Sequence, residues 1–246
     1  MLLAIDIGNS FTKIGIFENS SLSNRIIFPT VRTQTAEEVN SQTLVKSVDA
    51  IVISSVVPEL TETYRLFADE FFNLKPIFID NTFDFGLKIN YHPPEKVGVD
   101  RIVAAFAASE IYGKPCIVCD FGTATTIDAV NSKAEYLGGT ISPGVKTLAE
   151  SLYLKTSQLP LIEIEKPESV FGNSTVKSIQ AGIYYGYIGL VDGIIERMSA
   201  ELGESARVVA TGGFAEFLAK DSQQIEVVDE NLMLEGLRLI YEKRLR

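Results

Sequence analysis

One short pattern occurs twice in this chain, and it limits the folds that the chain can adopt. The first copy, DIGNSFTKIGIF, starts at Asp6, and the second, DFGTATTIDAV, starts at Asp120. In each copy an apolar strand pattern leads into Asp-x-Gly, then hydroxyl-bearing residues, then another apolar strand pattern. The offset from Asp6 to Asp120 is 114 residues, close to half of the 246-residue chain. This spacing indicates a duplicated domain in which each copy contributes one acidic turn to a shared cleft.

The periodicity of the apolar residues predicts an α/β fold. In each half, three strand patterns precede alternating helical and strand patterns, which is typical of α/β domains with a mixed sheet. We therefore expect two domains, each with a mixed five-stranded sheet. The boundary should lie near Tyr112 to Pro115, which gives an N-terminal domain of residues 1–114 and a C-terminal domain of residues 115–246.

Composition and charge exclude several classes of function. The chain is 46% hydrophobic and 22% charged, as in ordinary globular proteins, and its formal net charge is −10. We expect no nucleic-acid partner, because binding to phosphates requires clustered Lys and Arg and no basic stripe is present. The opening MLLAID is too short for a signal peptide, and the longest apolar stretch, residues 181–191, is too short to span a bilayer. We therefore expect a cytoplasmic protein without a membrane partner.

The two cysteines, Cys116 and Cys119, form the sequence CIVC. Such spacing has a redox or metal-binding interpretation. However, the segment resembles a buried strand, in which residues three apart point to opposite faces. We expect inert core thiols.

The repeated turns have the composition of a phosphate-binding site. Glycine in each Asp-x-Gly lets backbone N–H groups approach a ligand closely. Two carboxylates beside such loops suit cation-assisted phosphoryl transfer, since a metal ion must neutralise the phosphate charge. The alternative is two plain surface turns, because Asp and Gly are common in any turn. The predicted nucleotide contacts are Asp6, Gly8, Asn9, Ser10, Thr12 and Lys13 in the first copy, and Gly122, Thr123, Thr125 and Thr126 in the second. Asp120 should face Asp6 across the cleft.

A third glycine-rich turn follows the strand pattern ARVV. It reads ATGGFAEFL and precedes a helical pattern, so the backbone amides of Gly212 and Gly213 can approach a nucleotide's phosphates or its adenosine. A plain strand-to-helix turn is the alternative. After two matching acidic turns, we interpret it as an adenosine wall.

These turns together resemble a known superfamily. The sequences DIGNS…K, DFGTATTID and TGG are similar to those of the acetate and sugar kinases, heat-shock chaperones and actin, which hold ATP between two ribonuclease-H-like domains. Within that superfamily, the short chain resembles the type III pantothenate kinases over nearly its whole length. Three further stretches carry this resemblance: YHPPEKVGVDR from Tyr91, GGTISPG from Gly138 and FGNSTVKSIQAG from Phe171.

The resemblance implies an enzyme that phosphorylates pantothenate with ATP and Mg²⁺ in the first step of coenzyme A biosynthesis. It also implies a monovalent cation, K⁺ or NH₄⁺. The implied roles are Asp100 as general base, pantothenate binding by Tyr91, Gly98, Val99, Asp100, Arg101 and Thr175, a monovalent cation on Asp120, Mg²⁺ on Asp6 through water, and phosphates on Thr123 and the 6–13 loop. Helix N-caps at Asp100 and Thr175 and a surface Arg101 are the plainer alternatives.

Two positions depart from the family pattern. Ser10 stands where the family has Thr in the first turn, which retains a hydroxyl. Pro93 precedes Pro94 where the family commonly has Asn before Pro, and the missing amide changes a local contact in the substrate segment. His92, in the same segment, is the one histidine of the chain, and we expect no catalytic role for it.

The helical pattern AGIYYGYIGLVDG has glycines at near-helical spacing. Because glycine lowers helix stability, its repeated use at positions 182, 186, 189 and 193 indicates close approach of another backbone. The neighbour is either a second subunit or the other half of the chain. The resemblance implies a homodimer, which favours the second subunit.

Two other functions remain open from the sequence. One is a kinase or phosphatase of the same superfamily acting on another small hydroxylated substrate, against which the adjacent Asp100 and Arg101 argue. The other is a nucleotide-binding regulator without turnover, since members of the family were first seen as accessory factors for gene expression. The presence of a base and of both acidic turns favours catalysis.

Overall fold

The computed structural model describes residues 1–245, which form two compact units. The first consists of residues 1–107 and 231–245, and the second of residues 108–230, so the boundary falls within helix α3. No helix of residues 1–245 is long and apolar enough to cross a membrane. In chain order the elements are β1 (Leu2–Ile7), β2 (Phe11–Glu18), β3 (Ser21–Pro29), α1 (Ala36–Thr43), β4 (Ala50–Ser55), α2 (Thr61–Phe72), β5 (Ile77–Ile79), β6 (Lys88–Ile89), α3 (Val99–Ile111), β7 (Cys116–Phe121), β8 (Ala124–Val130), β9 (Glu135–Pro143), α4 (Val145–Lys155), α5 (Thr175–Leu202), β10 (Arg207–Thr211), α6 (Ala215–Ala219), β11 (Val227–Val228) and α7 (Leu232–Ile240), with 3₁₀ turns at Pro58–Leu60 and Pro94–Lys96 and a π-helical turn at Tyr241–Leu245.

The first unit contains a mixed five-stranded sheet in the order β3-β2-β1-β4-β5. Strands β1, β2 and β3 are antiparallel neighbours, and β4 and β5 continue the sheet in parallel with β1. One face, with Leu3, Ile5 and Ile7 of β1, packs against helices α1 and α2 in a continuous apolar core. The opposite face of the sheet presents Asp6.

The second sheet has six strands, one more than the predicted five, and its strands β11-β10-β7-β8-β9 repeat this arrangement in the second unit. Strands β7, β8 and β9 are antiparallel neighbours, and β10 and β11 run parallel to β7. Ile117, Cys119 and Phe121 of β7 pack against helices α4, α5 and α6. The other face of β7 presents Asp120. The predicted α/β class with a mixed sheet in each half is therefore confirmed.

The domain prediction of residues 1–114 and 115–246 assumed a single division point. In the structure the first unit instead consists of two separate stretches of chain. The C-terminal helix α7 belongs to the first unit, where Leu234 lies beside Gly15 of β2 and Gly236 lies beside Val103 of α3. A hydrogen bond of 2.9 Å from the Arg25 guanidinium to the Asn231 side chain holds the start of this segment. Because glycine has no side chain, Gly15 lets α7 approach the sheet and Gly236 lets it approach α3, and the apolar surface buried in this way stabilises the placement.

Candidate active site

The first acidic turn joins β1 to β2 through Gly8, Asn9 and Ser10. Gly8 donates its N–H to the Phe11 carbonyl at 3.1 Å, and a Cβ at Gly8 would lie only 3.0 Å from that oxygen. The glycine therefore makes the turn tight enough to expose the backbone of its neighbours. Asn9 and Ser10 are exposed, and the Ser10 carbonyl accepts the Thr30 N–H at 3.0 Å.

Thr12 lies below this turn and is fully buried. Its hydroxyl and that of Thr30 are 3.0 Å apart, which ties β2 to the end of β3. Thr12 was predicted as a nucleotide contact, whereas its burial indicates that it supports the turn from beneath. The direct contacts available on the surface of the turn belong to Gly8, Asn9 and Ser10.

A polar row crosses the first sheet beside the turn. Asp6 is in register with Lys13 on β2 and with Ser54 on β4. Residues in register on neighbouring strands share one face of a sheet, so the carboxylate, the ammonium and the hydroxyl lie side by side. Asp6 is 9% exposed and Lys13 is half-buried. This row combines a carboxylate that can hold a hydrated cation with a positive charge suited to phosphate.

The second acidic turn joins β7 to β8 through Gly122 and Thr123. Gly122 donates its N–H to the Ala124 carbonyl at 3.2 Å, the counterpart of the Gly8 contact. The Thr123 carbonyl accepts from the Gly144 N–H at 3.0 Å and from the Thr147 hydroxyl at 2.8 Å. The Thr123 side chain is left on the exposed side of a turn whose backbone is fixed by helix α4.

A second polar row crosses the second sheet in the same position. Asp120 is in register with Thr126 on β8 and with Thr211 on β10. The row thus repeats the Asp6 row, with Thr126 in place of Lys13 and Thr211 in place of Ser54. Asp120 is half-buried, and Thr211 is 1% exposed.

The predicted adenosine wall starts at the end of this row. Gly212 follows Thr211 with a φ of +92°, and a Cβ there would lie 2.5 Å from Asp120 Oδ1 and 2.6 Å from the Phe121 nitrogen. Gly213 is exposed, and a Cβ there would meet nothing within 4 Å among the described residues. The structure therefore brings the TGG turn directly against the second acidic turn.

Thr125 supports the second turn from the buried side. Its hydroxyl lies 2.5 Å from the hydroxyl of Tyr187, which also donates to the Pro143 carbonyl at 2.9 Å. Burial raises the pKa of Tyr187, so its proton stays available for these bonds. The sequence predicted Thr125 as a nucleotide contact; with 1% exposure it is a structural counterpart of Thr12.

The predicted substrate segment lies in the first unit, at the start of α3. Asp100 is the second residue of the helix and is half-buried, and its Oδ1 accepts the Arg101 N–H at 2.9 Å. Gly98 precedes the helix, and a Cβ there would overlap Asp100 Oδ1. The carboxylate is therefore held against the backbone at a fixed position.

Arg101 and Tyr91 lie together beside this carboxylate. The Arg101 guanidinium carbon is 5.7 Å from the centre of the Tyr91 ring, within the range of a cation–π contact. Arg101 is only 6% exposed, so the alternative of a surface arginine is wrong. A carboxylate, a buried guanidinium and an aromatic ring thus occur within one helix start and the loop before it.

Thr175 lies in the second unit, in the first turn of α5. The N-cap of this helix is Ser174, whose hydroxyl accepts the Lys177 N–H at 3.3 Å, so the alternative of an N-cap at Thr175 is wrong. Thr175 is exposed on the wall of an apolar groove of about 640 Å³ between α4 and α5, which Leu148, Leu152 and Ile179 also line. Its hydroxyl and that of Ser178 are the side-chain polar groups of this otherwise apolar lining.

The glycines of α5 face open space. A Cβ at Gly182, Gly186 or Gly189 would meet nothing within 4 Å among residues 1–245, and one at Gly193 would meet only the end of Arg197. The close neighbour that the glycine pattern predicts is therefore not another part of the described chain.

The possible metal ligands among the described residues are single carboxylates and not clusters. Within residues 1–245 no group of three or more His, Cys, Asp or Glu side chains is placed to hold a metal ion, and His92 is exposed. Mg²⁺ bound to a nucleotide commonly keeps several waters and takes one or two protein carboxylates, so a lone Asp6 fits such an ion. The thiols do not contribute: burial raises the pKa of Cys116 to about 12 and also raises that of Cys119.

Two members of the polar rows, Ser54 and Thr211, were missed by sequence reasoning. Each ends an apolar strand pattern, AIVISS and RVVAT, and a hydroxyl there looks like the start of a turn. The signal was the equivalent position of the two strands in the duplicated halves.

Comparison with solved structures defines the class of protein. The chain matches a Campylobacter jejuni protein proposed to be a Baf family transcriptional activator, with a TM-score of 0.61 and 21% identity over 99% of this chain and 98% of the other. It also matches a Sinorhizobium meliloti protein proposed to be a 2-dehydro-3-deoxygalactonokinase, with a TM-score of 0.59 and 11% identity over 99% of this chain and 100% of the other. At these identities the likeness shows the fold alone, an α/β fold with mixed sheets.

Comparison with protein families and curated relatives is more specific. The family model described as "Type III pantothenate kinase" matches residues 2–197. A type III pantothenate kinase of Myxococcus xanthus is 45% identical over 98% of each chain, and one of Koribacter versatilis is 43% identical over 99% of this chain and 96% of its own. The chain belongs to the type III pantothenate kinase family, and the resemblance seen in the sequence is confirmed.

Proposed function

We propose that this chain catalyses the ATP-dependent phosphorylation of pantothenate to 4′-phosphopantothenate, the first step of coenzyme A biosynthesis. The observation that carries the proposal is the arrangement of Asp100, Arg101 and Tyr91 at the start of α3, in a chain that belongs to this kinase family over most of its length. A carboxylate beside a buried guanidinium suits a substrate with a hydroxyl at one end and a carboxylate at the other.

In this proposal Asp100 accepts the proton of the substrate hydroxyl as that oxygen attacks the γ-phosphate. Its bond to the Arg101 N–H at 2.9 Å orients the carboxylate before the substrate binds. Such general-base catalysis contributes a factor of about 10²–10⁴ in rate. Gly98 lies next to the same carboxylate, so together with Val99 the helix start forms the acceptor site.

Arg101 binds the substrate carboxylate. A guanidinium offers paired donors that match a carboxylate, and its burial strengthens the attraction because little water competes. The guanidinium of Arg101 lies over the ring of Tyr91, which helps to hold it in place. Thr175 adds a hydroxyl to the lining of the apolar groove of the second unit, which suits the branched hydrocarbon part of pantothenate.

The nucleotide binds to the two acidic turns and the TGG turn. The N–H groups of Asn9 and Ser10, with Lys13, cradle phosphates in the first unit, and Thr123 does so in the second. Gly8 and Gly122 use their own N–H groups to keep the turns tight and let phosphates approach the backbone. Gly212 and Gly213 form the wall against adenosine. When bound, Mg²⁺ supplies charge neutralisation on the phosphates, and Asp6 holds it through water.

Asp120 holds the monovalent cation, K⁺ or NH₄⁺. The fit is supported by the buried hydroxyl of Thr211, which is in register with Asp120, has no hydrogen-bond partner in residues 1–245 and can orient the carboxylate. A carboxylate oxygen is a suitable ligand for such a cation. Product formation measured with each cation separately decides between K⁺ and NH₄⁺.

The active form is a homodimer that uses the glycine face of α5. Gly182, Gly186 and Gly189 have room for another backbone, and small residues allow two helices to approach closely. We place the enzyme in the cytoplasm, in keeping with two unpaired cysteines in the described chain.

The proposed function is tested by product formation. Purified protein is incubated with pantothenate and Mg²⁺–ATP, with and without K⁺ or NH₄⁺, and ADP and 4′-phosphopantothenate are measured by coupled assay and mass spectrometry. We expect product only with pantothenate, and a strong increase with the monovalent cation. ADP release with a sugar but not with pantothenate would assign another substrate. Nucleotide binding with no turnover on any acceptor would favour the regulatory function.

A further inference from the structure

Two buried hydroxyls occupy equivalent positions beside the two acidic residues. Ser54 is in register with Asp6 across the parallel pair β1 and β4, and Thr211 is in register with Asp120 across the parallel pair β7 and β10. Parallel neighbours lie about 4.8 Å apart and point to the same face, so each hydroxyl is next to a carboxylate.

Neither hydroxyl has a hydrogen-bond partner among residues 1–245. Ser54 is 0% exposed and Thr211 is 1% exposed, and both oxygen atoms are fully covered. A buried polar group left unpaired destabilises a fold, because it has lost its bonds to water. An apolar residue of similar size would be the more stable choice at either position if folding alone decided.

In the second row, the carboxylate of Asp120 lies close to β10, the strand that ends at Thr211. Asp120 Oδ1 lies 2.5 Å from the place where a Cβ of Gly212 would be, and Gly212 directly follows Thr211. This distance places one carboxylate oxygen of Asp120 at the end of β10, beside the residue that follows Thr211. Ser54 stands in the same relation to Asp6 by strand register.

We propose that Ser54 and Thr211 are positioning residues for the kinase site, which rests on the proposed function. When Asp6 and Asp120 turn to hold their cations, the Ser54 and Thr211 hydroxyls each donate a hydrogen bond to one carboxylate oxygen. The second oxygen is then fixed toward the ligand. A bond to an ionised acceptor is stronger than one between neutral groups, so the unpaired hydroxyl gains its partner in the loaded site.

The variants Ser54→Ala and Thr211→Val remove each hydroxyl with little change of shape. Thr140→Val is the matched control, because the Thr140 hydroxyl is also buried and unpaired but is in register with Ile127 on the face opposite Asp120. Thr211→Ser keeps the hydroxyl and tests whether loss of the methyl group matters.

The main readout is ADP binding by calorimetry at a series of Mg²⁺ and K⁺ concentrations, with melting temperature measured beside it. We expect Ser54→Ala to reduce the gain in ADP affinity from Mg²⁺ by about tenfold, and Thr211→Val to raise the K⁺ concentration at half-effect by about tenfold. Without ligand, these two variants and Thr140→Val should melt at or above the wild-type temperature. Thr211→Ser should bind as the wild type does.

Two results would overturn the inference. One is a cation dependence of ADP binding in Ser54→Ala and Thr211→Val that equals that of Thr140→Val. The other is a lowered melting temperature without ligand and unchanged cation dependence, which would assign a purely structural role. Because the readout needs no pantothenate, failure of the proposed substrate leaves this comparison intact; a wild-type protein that binds no ADP would remove both proposals.

Discussion

Gly212 lies so close to Asp120 that a single added carbon would reach the carboxylate: a Cβ at Gly212 would be 2.5 Å from Asp120 Oδ1. The residue also has a φ of +92°, which residues other than glycine rarely adopt. The third glycine-rich turn and the second acidic turn are therefore in close contact at Gly212, and only glycine fits there.

Gly212→Ala should weaken ADP binding at least tenfold and lower the free energy of unfolding by about 1–3 kcal/mol, because both the backbone and Asp120 must shift. Calorimetry and urea unfolding measure the two effects. Gly213→Ala serves as the folding control, since its Cβ would meet open space. Unchanged ADP affinity in Gly212→Ala would show that this turn does not position Asp120.

Arg101→Lys should raise the KM for pantothenate at least tenfold with a smaller effect on kcat. Lysine keeps the charge but loses the paired donors and the flat contact with the Tyr91 ring. Steady-state kinetics at saturating ATP measure both constants. Tyr91→Phe keeps the ring face and is the matched control, expected to change KM far less. An unchanged KM in Arg101→Lys would place the substrate carboxylate elsewhere.

Gly186→Leu should convert a dimer into a monomer in sedimentation velocity at micromolar concentration. Gly186 faces open space within the described chain, and leucine there would prevent close approach of a second helix. The helix itself should not suffer, since leucine favours helix more than glycine does. Glu201→Leu, at an exposed position of the same helix off the glycine face, is the control. A Gly186→Leu protein that remains dimeric would move the interface to another surface.

The thiols give the stability a dependence on alkaline pH. Burial raises the pKa of Cys116 from its ordinary value of 9.0 to about 12. The unfolded thiol therefore loses its proton above pH 9 while the folded thiol keeps it, so the free energy of unfolding is constant below pH 9 and falls as pH rises toward 12.

Urea midpoints between pH 8 and 11 measure this effect, with Cys116→Ala as the comparison that removes it. We expect the wild type to lose more stability over this range, by up to about 1.4 kcal/mol per pH unit. In the native protein at pH 8, neither cysteine should react with Ellman's reagent within minutes. Rapid labelling of the native protein would contradict the assignment of Cys116 and Cys119 as core thiols.

The sequence predicted the repeated part of the fold because it is local. The apolar alternation after Asp6 and after Asp120 is present in the strand residues themselves, and the tight glycine turns follow from the same residues. Helix α7 is different. Leu232, Met233, Leu234, Leu237 and Ile240 are all buried, and such an apolar helix can cover either sheet, so its unit depends on long-range packing that local sequence does not record.

The candidate site residues that lie in sequence motifs could also be predicted. Asp100, Arg101 and the acidic turns lie in such motifs, and the structure adds that Arg101 is buried. Thr12 and Thr125 were read as contacts because hydroxyls after a glycine turn look exposed, and only the packing of Thr30 and Tyr187 shows that they are buried. Ser54 and Thr211 become visible only through strand register.

The most direct test of the account is the rate of 4′-phosphopantothenate formation by Asp100→Asn compared with the wild type, at saturating pantothenate and Mg²⁺–ATP. The asparagine oxygen can still accept the Arg101 N–H, so the helix start and the melting temperature should be retained. We predict a fall in kcat of about 10²–10⁴-fold, with ADP affinity unchanged. A kcat near the wild-type value in a folded variant would contradict the assignment of Asp100 as the base.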